Sequence, residues 1–285
     1  MTIATPRIGA APGPAVLMVL GSCASLQVGA ALAARLFPVT GSAGATLLRL
    51  SLAAGVLLAV ARPAVRSWRR HQWRAVLLLG ATMAGMNGFF YAAIARVPLG
   101  PAVTIQFLGP LTLAAILSRR LRDFGWVLLA AAGVAAFGFG DGATALDPLG
   151  VVFVVLAGVF WALYIVASSH AGAAVAGQGG LAVAMTVGAL VLLPGGMTGA
   201  EKALTSPHLL LIALGTGLLA SVIPYTLELS ALRRLPKRAF GVLLSLEPAA
   251  AALAGWLLLA QPLTPIAAAA VVLVVVASIG STAFS

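Results

Sequence analysis

Acidic residues are scarce in this 285-residue chain: six Asp and Glu stand against seventeen Lys and Arg, and charged residues make up only 8%. Soluble domains carry about 25% charged residues, so an ordinary water-facing globule is excluded. Cysteine occurs once, as Cys23, which excludes an intramolecular disulfide and any Cys-x-x-Cys site. The three histidines, His71, His170 and His208, fall in expected loops or near span ends, and no Walker motif, His-Glu-x-x-His or acid-rich cluster occurs. ATP-driven transport and metal chemistry therefore have no support; no cofactor is expected, and neither is an enzyme.

What the chain has is apolar length. Hydrophobic residues make up 61% of it, in continuous runs near the roughly 20 residues that cross a bilayer as helix. Ten spans are expected, at about residues 14–36, 43–61, 74–95, 99–118, 124–140, 147–168, 178–197, 207–231, 237–259 and 264–283. A barrel would need short strands of alternating polarity, which these runs are not. "LGSC" before Cys23 faintly resembles a lipoprotein cleavage site, but the apolar run continues to Phe37, so the first span is expected to stay.

The net charge of +11 would suggest nucleic acid in a soluble protein, so the placement of the cations decides. With the N-terminus inside, the inner loops hold Arg7, Arg62, Arg66, Arg69, Arg70, Arg74, Arg119, Arg120, Arg122, Arg233, Arg234, Lys237 and Arg238. Only Arg35, Arg96 and Lys202 fall outside, with Arg49 inside a span. This asymmetry predicts both termini in the cytoplasm, basic loops against anionic lipid headgroups, and no nucleic-acid partner.

"ARVPLGPAVTIQFLGPL" from Ala95 aligns with "RRLPKRAFGVLLSLEPA" from Arg233 at an offset of 138, matching Arg96 with Arg234, Pro98 with Pro236, Leu108 with Leu246 and Pro110 with Pro248. Equivalent spans are five apart, and an odd number inverts the second copy. The expected fold is an all-α polytopic membrane protein of ten helices in two inverted five-helix repeats, 14–140 and 147–283, within one domain spanning 1–285. Such repeats place a substrate site near the midplane, beside matched interrupted spans. Gly109, Pro110 and Pro248 mark those interruptions and are the candidate hinges. Each proline removes a backbone donor, so the carbonyls of Gln106 and Leu244 lose their usual partners.

The long stretches "GAALAARLFPVTGSAGATLLRL", "GMNGFFYAAIARVPLGPAVTIQFLGPL", "FWALYIV" and "IPYTLELSALRRLPKRAFGVLLSLEPAAAALAG" resemble the EamA-type drug/metabolite transporters from about Gly29 to Thr282. Within that family the chain is similar to a subgroup of bacterial inner-membrane amino-acid exporters. The resemblance implies efflux of a small zwitterionic substrate, of the threonine or homoserine kind, by alternating access in the cytoplasmic membrane. Other amino acids, metabolites or drugs are the alternative cargo. Many members carry Trp-Gly where this chain has Gln27-Val28, which implies that Val28 narrows a helix contact or substrate contact there.

Glu247 is the leading site candidate. A carboxylate at the bilayer centre costs about 2.5 to 3.5 kcal/mol on insertion scales and by default marks a substrate or proton path. Glu247 is expected to bind substrate and exchange the coupling proton; its structural alternative is a hydrogen bond to a neighbouring helix or to Arg49. Arg49 is a second-tier candidate that could take a substrate carboxylate, or else snorkel or hold a carbonyl. Glu228 follows Tyr225 on one face and could attract the substrate ammonium, or pair with the adjoining basic loop. Asn87 and Tyr91 share a face, and Asn87 falls on Tyr225 at the 138 offset. Trp161 and Tyr164 could wall a cavity, with Gln27 and Gln106 as further polar groups; for all of these, helix-to-helix bonding is the alternative. Trp68, Trp73 and Trp126 read as interfacial anchors.

Overall fold

The structure, a computed structural model, describes residues 13–118, 121–135, 146–175, 177–232, 234–235 and 237–284. Of the basic residues that fixed the expected topology, Arg7, Arg119, Arg120 and Arg233 lie outside the described residues, as do positions 136–140 of the fifth expected span.

Among the described residues every regular element is helical. In chain order these are α1 (Gly13–Ala34), α2 (Phe37–Ala61), α3 (Arg70–Ile94), α4 (Leu99–Gln106), α5 (Leu108–Ser118), α6 (Leu121–Ala135) and α7 (Pro148–Ala174). They continue with α8 (Gly179–Leu204), α9 (Pro207–Gly217), α10 (Ile223–Leu232), α11 (Lys237–Leu244), α12 (Glu247–Leu259) and α13 (Pro265–Phe284). Taking α4 with α5, α9 with α10, and α11 with α12 as single crossings, nine helices among the described residues have the length and hydropathy to cross a membrane. The apolar part of α6, Asp123–Ala135, is shorter.

Proline explains the interrupted crossings. Pro110 cannot donate to the Gln106 carbonyl, and the helix breaks at Phe107. Pro248 cannot donate to the Leu244 carbonyl, and the helix breaks at Ser245 and Leu246, where Leu246 N–H turns back to the Leu243 carbonyl at 3.1 Å. Helices α4 and α11 begin and end 138 residues apart, the offset seen in the sequence. A third interruption was not expected: one π-helical turn, Leu218–Val222, joins α9 to α10 just before Pro224. The second crossing also begins earlier than expected, at Phe37, because its first turn lies beyond a kink at Gly41, whose φ is 64°.

Helix α2 packs along α8, and α3 lies between α7 and α8. Helix α1 lies against α10 and α12, α4 against α12 and α7, and α13 against α6. The contact faces are rich in alanine and glycine, which let backbones approach where lipid tails offer no hydrophobic driving force between helices. Large aliphatic side chains turn outward instead: Leu17, Val60, Leu117, Leu128 and Leu211 are each about two-thirds exposed, a surface suited to hydrocarbon. Trp68 and Trp73 stack edge to face beside the arginine-rich loop, at 5.4 Å between centroids. Trp126 is half-buried, packs against the cluster that includes Phe107 and Ala277, and fills the space beside Gly280 of α13.

Candidate functional site

The three interrupted crossings converge with α1, α2, α3, α7 and α13 around a cavity of about 340 Å³. That volume lies at the small end of ligand pockets. The wall is largely apolar, with Leu26, Phe90, Leu111, Trp161 and Ile165 among its members, so each polar group on it is conspicuous. Lining residues reach Thr282 near the end of α13 and Gly241 near the start of α11, while the first turns of α13 and the later turns of α12 contribute none. The cavity therefore extends from mid-bundle toward one face only.

Proline chemistry fixes the one cation. Pro224 has no N–H for the Ala220 carbonyl, and the π turn leaves that oxygen facing α2. Arg49 takes it with one guanidinium nitrogen at 2.6 Å and gives its Nε to the Ser221 hydroxyl at 3.0 Å. The guanidinium also lies over the Tyr91 ring, 5.3 Å from its centroid. Arg49 is buried and lines the cavity, so the carbonyl-holding alternative is the one realised and snorkelling is not.

Two carboxyls face the same cavity. Glu247, in the first turn of α12 where unsatisfied N–H groups favour an acid, accepts from Gln27 Nε2 at 3.3 Å. Glu228 on α10 accepts from the Ser22 hydroxyl of α1 at 2.6 Å. Tyr164 of α7 and Tyr225 of α10 line the same cavity as Glu228. Asn87 gives its amide to the Met83 carbonyl at 2.8 Å and keeps its oxygen for other donors. One fixed cation and two acids in an apolar chamber can receive a small molecule carrying both a carboxylate and an ammonium.

Curated relatives cover nearly the whole chain. It is 39% identical over 268 residues to the threonine/homoserine exporter RhtA of Escherichia coli K12, covering 94% of this chain and 90% of the relative. The same figures hold for the threonine/homoserine exporter RhtA of Salmonella typhimurium. Residues 148–283 match the EamA-like transporter family. The chain belongs to the EamA-like transporter family. A solved crystal structure shares its fold with a TM-score of 0.66 at 19% identity, covering 95% of this chain and 97% of that one. This member of the EamA-like family is thus a multi-pass membrane transporter and not an enzyme.

Of the residues singled out in the sequence, Gln27, Arg49, Asn87, Gln106, Pro110, Trp161, Tyr164, Tyr225, Glu228 and Glu247 all line the cavity. Tyr91 does not: it lies behind Arg49, fully buried among Phe37 and Phe90, and supports the cation from beneath. Gly109 and Pro248 flank the breaks without reaching the wall. Gly109 sets the α5–α7 crossing, where a β-carbon would collide with the Gly158 carbonyl. Val28 does not narrow a contact: it is 38% exposed on the outer face of α1, and the tight contact falls one residue on, at Gly29.

Sequence reasoning missed Ser22, Ser221 and Ser278 and the π turn that exposes Ala220. Pro224 was a readable signal for the last of these, lying within an apolar run as Pro110 and Pro248 do.

Proposed function

We propose that this protein is a secondary exporter of small zwitterionic amino acids, threonine and homoserine foremost, in the bacterial cytoplasmic membrane. The observation that carries the reading is the grouping of Arg49, Glu228 and Glu247 around one small, mostly apolar cavity. The names of the relatives, threonine/homoserine exporters at 39% identity, supply the substrate and the direction of transport.

In this reading Arg49 receives the substrate carboxylate and Glu228 or Glu247 the ammonium. Gln27, Asn87, Gln106, Tyr164 and Tyr225 offer hydrogen bonds, and Trp161 closes the apolar side. Glu247 alternates between carrying a proton and engaging substrate, which couples export to the proton gradient. Tyr91 acts through Arg49.

Alternating access follows from two inverted five-helix repeats, 14–140 and 147–283, rocking about the midplane. Ten spans with both ends cytoplasmic complete this arrangement, with α6 in the fifth. Gly109, Pro110 and Pro248 serve as hinges. The basic cytoplasmic loops, with Arg62, Arg66 and Arg69 in the α2–α3 connection, rest against anionic headgroups.

Counterflow of radiolabelled amino acids into proteoliposomes preloaded with threonine tests the reading. Saturable accumulation of labelled threonine and homoserine is expected. A flux that scales linearly with concentration and shows no exchange would point to a channel instead.

A further inference from the structure

The cavity is chemically lopsided in a way that its overall charge does not explain. At the first break stands Phe107, packed edge to face on Trp161 with centroids 5.3 Å apart. At the equivalent break, 138 residues on, stands Ser245, and hydroxyls cluster around it: Ser245 Oγ and Ser278 Oγ are 2.6 Å apart. Ser278, Ser281 and Thr282 all line the cavity. One wall is aromatic and the other is hydroxylic.

We infer that Ser278 forms a hydroxyl-reading subsite, accepting a hydrogen bond from a donor on the side chain of the transported amino acid while its own proton is committed to Ser245.

Proton accounting supports the assignment. A serine hydroxyl has one proton to give and two lone pairs. Ser245 Oγ, fully buried in the break, donates to the Gly241 carbonyl at 3.0 Å, the backward bond of a serine within a helix. Its proton is then used, and at 2.6 Å it is the acceptor for Ser278. In the reverse arrangement the Ser278 proton would lose its protein acceptor and Gly241 one of its donors, an unfavourable exchange in a buried setting. Ser278 sits on the wall with a lone pair left over, so it selects ligands that bring a proton: an O–H or N–H. Thr282, one turn further along the same wall, likewise gives its hydroxyl proton to the Ser278 carbonyl at 2.9 Å, so it too meets a ligand as an acceptor and extends the same preference.

A site built to pair a substrate hydroxyl discriminates strongly against the analogue without it, since the protein group is then left unpaired. An apolar pocket of the same size would not. The subsite thus explains how a 340 Å³ chamber could prefer hydroxylated amino acids over aliphatic ones of equal length. It rests on the amino-acid reading proposed above, and its test keeps the two separable.

The full-length protein is reconstituted, and counterflow of labelled 2-aminobutyrate is competed with unlabelled threonine, homoserine, 2-aminobutyrate and O-methylthreonine. The tracer has the carbon chain without the hydroxyl, and the last competitor keeps the oxygen without its proton. Wild type is expected to favour threonine and homoserine over both of the others by about tenfold. In Ser278→Ala that preference should collapse toward unity, and thermal unfolding in detergent shows whether the variant is folded. Ser245→Ala frees the Ser278 proton to be donated, so O-methylthreonine should gain on threonine. Retained preference in Ser278→Ala, or equal loss for all four competitors, overturns the subsite. If no amino acid competes in wild type, the proposed substrate falls and the subsite falls with it.

Discussion

Arg49 of α2 holds the main-chain carbonyl of Ala220, 2.6 Å away on the π turn that precedes α10. Pro224 is the reason that oxygen is available, so a proline in one crossing determines where a cation in another can rest. The cation is thereby presented to the cavity without a carboxylate partner held against it among the described residues.

Replacing Arg49 separates anchoring from charge. Arg49→Ala strips donors from the Ala220 carbonyl and the Ser221 hydroxyl, both fully buried. A loss of about 2 to 3 kcal/mol is expected, because hydrogen bonds to charged groups are among the stronger ones. Arg49→Lys keeps the charge but not the fork, so it should recover part of the stability and little of the substrate affinity. Thermal unfolding in detergent, run beside threonine counterflow, reads both quantities. Full affinity in the lysine variant would show that charge alone serves.

Glu247→Gln keeps an acceptor oxygen toward Gln27 Nε2, now 3.3 Å from the carboxyl, so the fold should persist. What it removes is the exchangeable proton and the negative charge offered to the substrate ammonium, so threonine affinity in counterflow should weaken. Uptake of labelled threonine into inverted vesicles driven by a pH gradient should fall to the background, while counterflow, which needs no proton cycle, continues. Undiminished pH-driven uptake would move the coupling role elsewhere, with Glu228 the next carboxyl on the same wall.

The breaks in α4–α5 and α11–α12 were readable because a proline acts locally: it removes one donor and disturbs one known carbonyl wherever the chain goes. The acids and Arg49 were readable because charge inside an apolar span is expensive and needs a reason. Serines gave no such warning. Ser22 and Ser278 are inexpensive in a helix, where a hydroxyl can satisfy itself on its own backbone, and only the tertiary fold brings Ser22 to Glu228. Tyr91 was misplaced because sharing a face with Asn87 fixes a direction to within one quadrant, and Arg49 fills the remaining space.

The opposite end of the bundle offers a test by pH. Asp147 caps α7 through the Leu149 and Gly150 N–H groups and meets Arg96 of the α3–α4 loop at 3.1 Å. The Gly150 N–H above all, then Arg96 and the Leu149 N–H, hold its carboxyl below the usual carboxylate range. A depressed folded value means the contribution is complete above the unfolded value of about 3.9 and is lost as pH falls through the folded one. Asp147→Ala should therefore melt below wild type at neutral pH, and the two should converge only in strong acid. Asp147→Asn, which still caps but cannot pair with Arg96, should stay near wild type. A large deficit in the asparagine variant would assign the stability to the ion pair instead.

Gly29 and Val28 give the sharpest contrast, because neighbours on a helix point about 100° apart. A β-carbon on Gly29 would stand 2.5 Å from the Ala220 nitrogen and 2.7 Å from its β-carbon. Backbone cannot yield as a flexible side chain can, so Gly29→Ala must push α1 off the π turn. Overpacking of this kind costs about 1 to 3 kcal/mol. The same displacement disturbs the carbonyl that Arg49 grips, so threonine affinity should fall along with the melting temperature. Val28→Leu, one residue earlier and 38% exposed on the outer face, should change neither. A tolerant Gly29→Ala together with a damaging Val28→Leu would mean that α1 is rotated by one position, which would also turn Gln27 away from Glu247.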